Sequence, residues 1–177
     1  MNAPLPQAQR SAAELSALSQ AQFVAALDGI FEHSPWVAAA AWEDRPFATV
    51  TALHDAMCQA VLDAGVDPQL ALIRAHPELA GKAAVRGELT VESTREQAGA
   101  GLDQCSPDEF ARLHQLNEDY KAKFGFPYIL AVRGHTRFSI MENFATRLAN
   151  SREDEMAECL RQIFRIAQFR LQDLVRD

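Results

Sequence analysis

The chain has 177 residues, 48% of them hydrophobic, with a formal net charge of −7 and a pI near 5.2. That length suits one domain with one core, and the acidic balance argues against a partner with a phosphate backbone, so no nucleic acid is expected. No run of about 18 apolar residues occurs, so no membrane span is expected, and eight glycines and eight prolines are too few for a sandwich of many short strands.

In chain order, residues 1–10 read as a loose, flexible tail and 11–177 as a single domain. The opening MNAPLPQAQR lacks a charged start followed by an apolar stretch, so no secretory signal is expected. The final LVRD is not a peroxisomal address. Ser19 caps a helix to about Phe31. Ser34-Pro35 supplies a cap and a first-turn proline for WVAAAAW. A helix over Thr51 to Ala64 presents Ala52, Ala56, Ala60 and Val61 on one side. Asp67-Pro68 starts QLALIRA, which stops before His76-Pro77 because proline pushes the preceding residue out of helical dihedrals. Gly81 to Gly87 reads as a loop or frayed turn.

Ser93-Thr94-Arg95-Glu96 has the S-x-x-E form of a capping box and opens a helix to about Ala100. Ser106-Pro107-Asp108-Glu109 is a second box, with proline at its favoured position, opening a helix to about Lys123. FGFPYILAV reads as extended. Helices over Thr136 to Leu148 and from Ser151 to Leu174 complete an all-α chain of eight helical pieces without a strand. On the last helix, Leu160, Ile163, Phe164, Ala167, Leu171, Leu174 and Val175 share a face, and Arg161, Arg165, Gln168, Gln172 and Arg176 share the opposite one. Arg170 lies on the apolar side, where it is either a structural ion pair or a clamp for a substrate anion. Asn117, on the stripe of Phe110, Leu113, Tyr120 and Phe124, reads as a tie to loop backbone.

Cys58, Cys105 and Cys159 are odd in number and widely spaced, which fits reduced thiols of a cytosolic protein. His54 and Cys58 are four apart, but no second ligand pair accompanies them, so no metal is expected. GKAAVRG lacks the order of a phosphate loop, and neither G-x-S-x-G nor H-E-x-x-H occurs. His33, His54, His114 and His135 lie in polar or surface-like contexts. His76 differs: it is fixed by Pro77 beside the apolar LALIRA, and it is either a proton carrier near neutrality or a helix C-cap favoured by the dipole. Glu96 is likewise either a cap or, with Ser93 and Gln97 one turn away, part of a polar surface for a ligand.

The chain resembles the OHCU decarboxylase family, whose substrate is 2-oxo-4-hydroxy-4-carboxy-5-ureidoimidazoline, an intermediate of urate breakdown. The parts that carry the resemblance are HPELAGKAA, LTVESTREQAGAGLD, LNEDYKAKFGFPYILAV, the tail IFRIAQFRLQDLV and the early FEHSPWVAAAAW. It implies an all-helical homodimer that decarboxylates that substrate to (S)-allantoin without a cofactor, in keeping with the cytoplasmic location that the reduced thiols suggest. By motif match it implies a catalytic role for His76 with Glu96. Substrate contacts are implied for Pro77, for Ser93, Thr94, Arg95, Glu96 and Gln97, and for Tyr128, Ile129, Leu130, Ala131 and Val132. Arg170 is implied as a substrate-holding arginine by a looser match. A non-catalytic helical binding module, or a decarboxylase of a related ureide, remain the alternatives.

Overall fold

The computed structural model describes residues 9–177. Its helices are α1 (Ala12–Ser16), α2 (Gln20–Ala26), α3 (Pro35–Ala41), α4 (Val50–Asp63), α5 (Val66–Ala75), α6 (Lys82–Arg86), α7 (Val91–Gly99), α8 (Pro107–Phe124), α9 (Arg137–Arg147) and α10 (Arg152–Leu174). Most begin where a hydroxyl can satisfy the first-turn amides: Ser11, Ser19, Thr49, Thr90, Ser106, Thr136 and Ser151 all accept a backbone N–H. The long α10 is the central post, packing against α4, α5 and α8. It buries Leu160, Ile163, Ala167 and Leu171 and leaves Arg161, Arg165, Gln168 and Gln172 exposed, as a 3.6-residue period requires.

Several elements differ from the sequence expectation. The helix begun at Ser19 ends at Ala26 rather than near Phe31. Gly29 adopts φ +85, a conformation foreign to a right-handed helix, and the chain turns inward there. On α4 the buried stripe is Leu53, Met57 and Val61, with Ala52, Ala56 and Ala60 only half-buried beside it. A short helix, α6, forms over Lys82–Arg86 in the expected loop and ends at Gly87 in the left-handed region. Residues 1–8 of the expected tail lie outside the described residues. Gln9 and Arg10 are not loose: Arg10–Ser11 pairs in parallel with Val175–Arg176, and Gln9 Nε2 donates to the Asp173 carbonyl at 2.8 Å.

Residues 126–132 run through the interior outside any helix, every one of them buried, and have no sheet partner among the described residues. Buried backbone polar groups need partners, and side chains of other helices supply them. Arg147 donates to the Ile129 carbonyl at 2.5 Å, and the Gln162 Oε1 accepts from Ala131 N–H at 3.0 Å. Arg147 itself forms a buried pair with Glu155 at 2.8 Å, and Glu155 also accepts from the Tyr120 hydroxyl and from Asn150. The Tyr128 ring stacks on Phe144 with centroids 3.8 Å apart and lies under the Arg147 guanidinium. The wall formed by this segment is thus fixed by a charged cluster beneath it.

Arg147→Ala strands Glu155 in the interior and should cost about 3–5 kcal/mol in urea unfolding, whereas Arg161→Ala, at an exposed pair, should cost under about 1 kcal/mol. Equal losses at the two positions would contradict this account of the core.

Candidate active site

Helix α5 ends at Ala75, and His76 takes extended dihedrals (φ −77, ψ 140) ahead of Pro77. Its N–H caps the helix by donating to the Ile73 carbonyl at 3.2 Å. Its Nδ1 lies 3.0 Å from the Leu72 carbonyl. A carbonyl only accepts, so Nδ1 carries the proton and Nε2 keeps its lone pair. Burial pushes the imidazole pKa down to about 4, against the opposing influence of the Leu72 hydrogen bond and the nearby Glu32. His76 is therefore neutral at pH 7, with its lone pair on Nε2. It caps the helix through its backbone N–H rather than through a charge favoured by the dipole, and burial makes its free edge a weak base near neutrality.

The loop after His76 is pinned by two amides. Gln97 accepts from Ala80 N–H at 2.9 Å and donates to the Glu78 carbonyl at 3.3 Å. Asn117 donates to the Leu79 carbonyl at 3.0 Å, the backbone tie expected of it. The pins hold Ala80 at φ 51, in the left-handed region that a residue with a Cβ avoids.

The cap of α7 is Thr90 and not Ser93. The T-x-x-S at 90–93 starts the helix one turn earlier than the S-x-x-E that follows, so Ser93 and Glu96 are released from capping. Ser93 Oγ donates instead to Glu32 at 3.0 Å, and Glu96 receives Arg170. Helical phase then sorts the segment. Ser93, Glu96 and Gln97 face a small cavity together with His76, Pro77 and Arg170. Thr94 points away and donates back to the Thr90 carbonyl at 2.8 Å. Arg95 faces a wider neighbouring cavity, which shares Glu96 and Arg170 with the first.

The far wall of the smaller cavity is Tyr128, Ile129, Leu130 and Val132. Ala131 is not among its lining residues, and its N–H is committed to Gln162. Among the described residues no group of three or more His, Cys, Asp or Glu side chains is placed to hold a metal ion.

Arg170 has all five of its N–H groups engaged. Nε and Nη2 grip Glu96 at 2.7 and 2.9 Å, Nη1 donates to Glu32 at 2.8 Å and to the Gly29 carbonyl at 2.7 Å, and Nη2 also reaches Ser93 Oγ at 3.4 Å. Glu32 is the residue the sequence reading missed. It sits among Ile30, Phe31 and Ser34 in a stretch that reads as the end of a helix, and only its partner on α10, 138 positions away, reveals it as buried. Burial alone would raise its pKa, but the hydrogen bond and charge of Arg170 prevail and hold the carboxyl below its usual range.

The OHCU decarboxylase family model matches residues 16–172. The chain is 38% identical over 161 residues to the 2-oxo-4-hydroxy-4-carboxy-5-ureidoimidazoline decarboxylase of Halalkalicoccus jeotgali, covering 91% of this chain and 89% of that protein. It is 38% identical over 164 residues to the uric acid degradation bifunctional protein of Bacillus sp. (strain TB-90), covering 93% of this chain but 32% of that longer one. The crystal structure of an (S)-allantoin synthase superposes with a TM-score of 0.75 at 28% identity, over 93% of this chain and 54% of that one.

The buried, neutral His76 gives stability a pH dependence. Its folded pKa of about 4 lies below the ordinary 6.5, so the unfolded chain takes the proton first. Its contribution is constant above 6.5, is lost as pH falls from there towards 4, and is flat below. The loss should be roughly 3 kcal/mol. Urea unfolding of the native chain and of His76→Gln at pH 7 and pH 5 checks this: the variant should lose clearly less stability between the two.

Proposed function

The chain belongs to the OHCU decarboxylase family, and on that premise we propose that it decarboxylates 2-oxo-4-hydroxy-4-carboxy-5-ureidoimidazoline to (S)-allantoin in urate degradation. The observation that carries the reading is a buried histidine with a free Nε2 lone pair, in the same small cavity as Glu96 and Arg170.

The substrate needs no external electron sink. Its ring has a C=N bond on the carbon next to the one that bears the carboxylate. As the C–CO2 bond breaks and CO2 leaves, its electron pair forms a C=C bond between the two carbons, the C=N π pair moves onto nitrogen, which takes a proton, and an enol results. The enol then becomes the ketone, and a proton delivered to one face of the neighbouring carbon sets the product's hand. The protein's part is position, proton transfer and electrostatics. Arg170 holds an anionic or carbonyl end of the substrate. His76 Nε2 takes the hydroxyl proton, and Glu96 takes part in the relay. Ile129, Leu130 and Val132 form an apolar wall that keeps water from the carboxylate. No cofactor enters this scheme, and it is compatible with a cytoplasmic homodimer; mass measurement in dilute solution tests the dimer.

Substrate generated freshly from urate with uricase and hydroxyisourate hydrolase provides the assay. The chain should give rapid, one-handed allantoin. A slow, racemic outcome equal to the uncatalysed one would leave only a binding module, and rapid turnover of a related ureide alone would leave the alternative substrate. His76→Ala should lower turnover by roughly 10²–10⁴ if His76 transfers the proton. A folded variant within a few-fold of the native rate removes it from the mechanism.

A further inference from the structure

The two carboxylates on Arg170 are not equivalent. Glu32 is 1% exposed at its side chain and Glu96 is 23% exposed. Glu32 is gripped from three sides: its Oε1 accepts from Thr90 Oγ1 at 2.8 Å and from Ser93 Oγ at 3.0 Å, and its Oε2 accepts from Arg170. Among the described residues Glu96 has Arg170 alone as its hydrogen-bond partner, and it borders both the His76 cavity and the wider one beyond. Glu32 lines neither cavity.

The guanidinium is correspondingly divided. Its Nη1 faces two buried acceptors, Glu32 and the Gly29 carbonyl. Its Nε–Nη2 edge is the fork that an incoming carboxylate would take in two-point fashion, and Glu96 occupies it. Stranding a fully buried carboxylate costs far more than turning a half-exposed one toward water. The exchange therefore happens at the Glu96 edge.

We propose that Glu32 is a positioning residue for the decarboxylation: it anchors Arg170 from behind, so that Glu96 is the partner that yields to an anionic substrate, and it holds a negative charge behind Ser93 and Arg170, which line the cavity with His76. This rests on the function proposed above and gives it an order of events. Before substrate arrives, the Arg170 fork is filled by Glu96. Once the substrate carboxylate takes the fork, Glu96 is freed beside the substrate while Glu32 keeps the guanidinium in place. No bond is made or broken by Glu32 itself. The titratable and charged groups bearing on His76 are Glu32 from the loop after α2, its neighbour His33, Glu96 from α7 and Arg170 from α10. Glu78, on the same loop as His76, is committed to Lys121 at 2.7 Å.

The test uses the full chain and the isosteric E32Q. Thermal unfolding and circular dichroism establish the fold, steady-state kinetics give kcat and KM, and the His76 imidazole resonance, assigned by its loss in H76Q, is titrated by NMR. In E32Q, kcat should fall about 10- to 100-fold through loss of alignment. KM should not rise, because Glu32 does not touch the substrate and its loss removes one buried negative charge from behind the site. The His76 midpoint should move to lower pH. E32D keeps the charge but draws back from Arg170, so its kcat should fall while the His76 midpoint stays near the native one. It also carries the test should E32Q not fold. A folded E32Q with kcat within about threefold of native and an unmoved His76 titration, only its melting temperature lowered, would make Glu32 merely structural and overturn the proposal. A native chain without decarboxylase activity, in which E32Q still moves the His76 titration, would instead overturn the proposed function and leave the electrostatic role of Glu32 standing.

Discussion

Everything in the site hangs on one buried cation. Arg170 projects from the central helix into a place where charge is costly, and its guanidinium is acceptable there only because each N–H meets an acceptor. Those acceptors come from the Gly29–Glu32 loop and from α7. The same atoms that make the arginine tolerable therefore set the spacing between three parts of the chain. An apolar residue of similar volume could pack as well, but it would bring nothing together. The cluster's value lies in placement.

The opposite wall follows the same logic with different partners. A buried extended segment without a neighbouring strand has unsatisfied amides and carbonyls. Here Arg147 satisfies the Ile129 carbonyl and Gln162 the Ala131 amide, and Glu155 neutralises the arginine. The cavity lies between two desolvated ion clusters, and its apolar wall is backed by one of them. Such an interior has few ways to rearrange, which suits a reaction in which geometry and proton placement are the protein's main contribution.

How far the sequence disclosed this depends on the range of each signal. Periodicity over a 23-residue helix is strong, and it marked both the polar face of α10 and the misplacement of Arg170. The stop at His76-Pro77 is a local steric effect and was equally legible. Helices α1 and α6 span five residues each, too few for a period to show. The S-x-x-E at Ser93 misled because a threonine one turn earlier fits the same role, and hydroxyl spacing alone does not rank the two. Thr94 and Arg95 match the family's motif as part of a continuous span, but a helix shows a cavity only some of its residues, so they fall outside. Glu32 could not be found locally at all. Its burial is a fact about Arg170, 138 positions away.

The way the extended wall is held has a consequence for how the chain tolerates change. Its shape facing the cavity belongs to Ile129, Leu130 and Val132, while the direction of its carbonyls and amides belongs to Arg147 and Gln162 on other helices. Fit and polarity are thus governed by separate positions. Drift among aliphatic residues in the wall would reshape the space for a ligand's edges without turning the backbone groups around. A single change at Arg147 would release the Ile129 carbonyl and uncover the Tyr128 ring although no residue of the wall itself had been replaced.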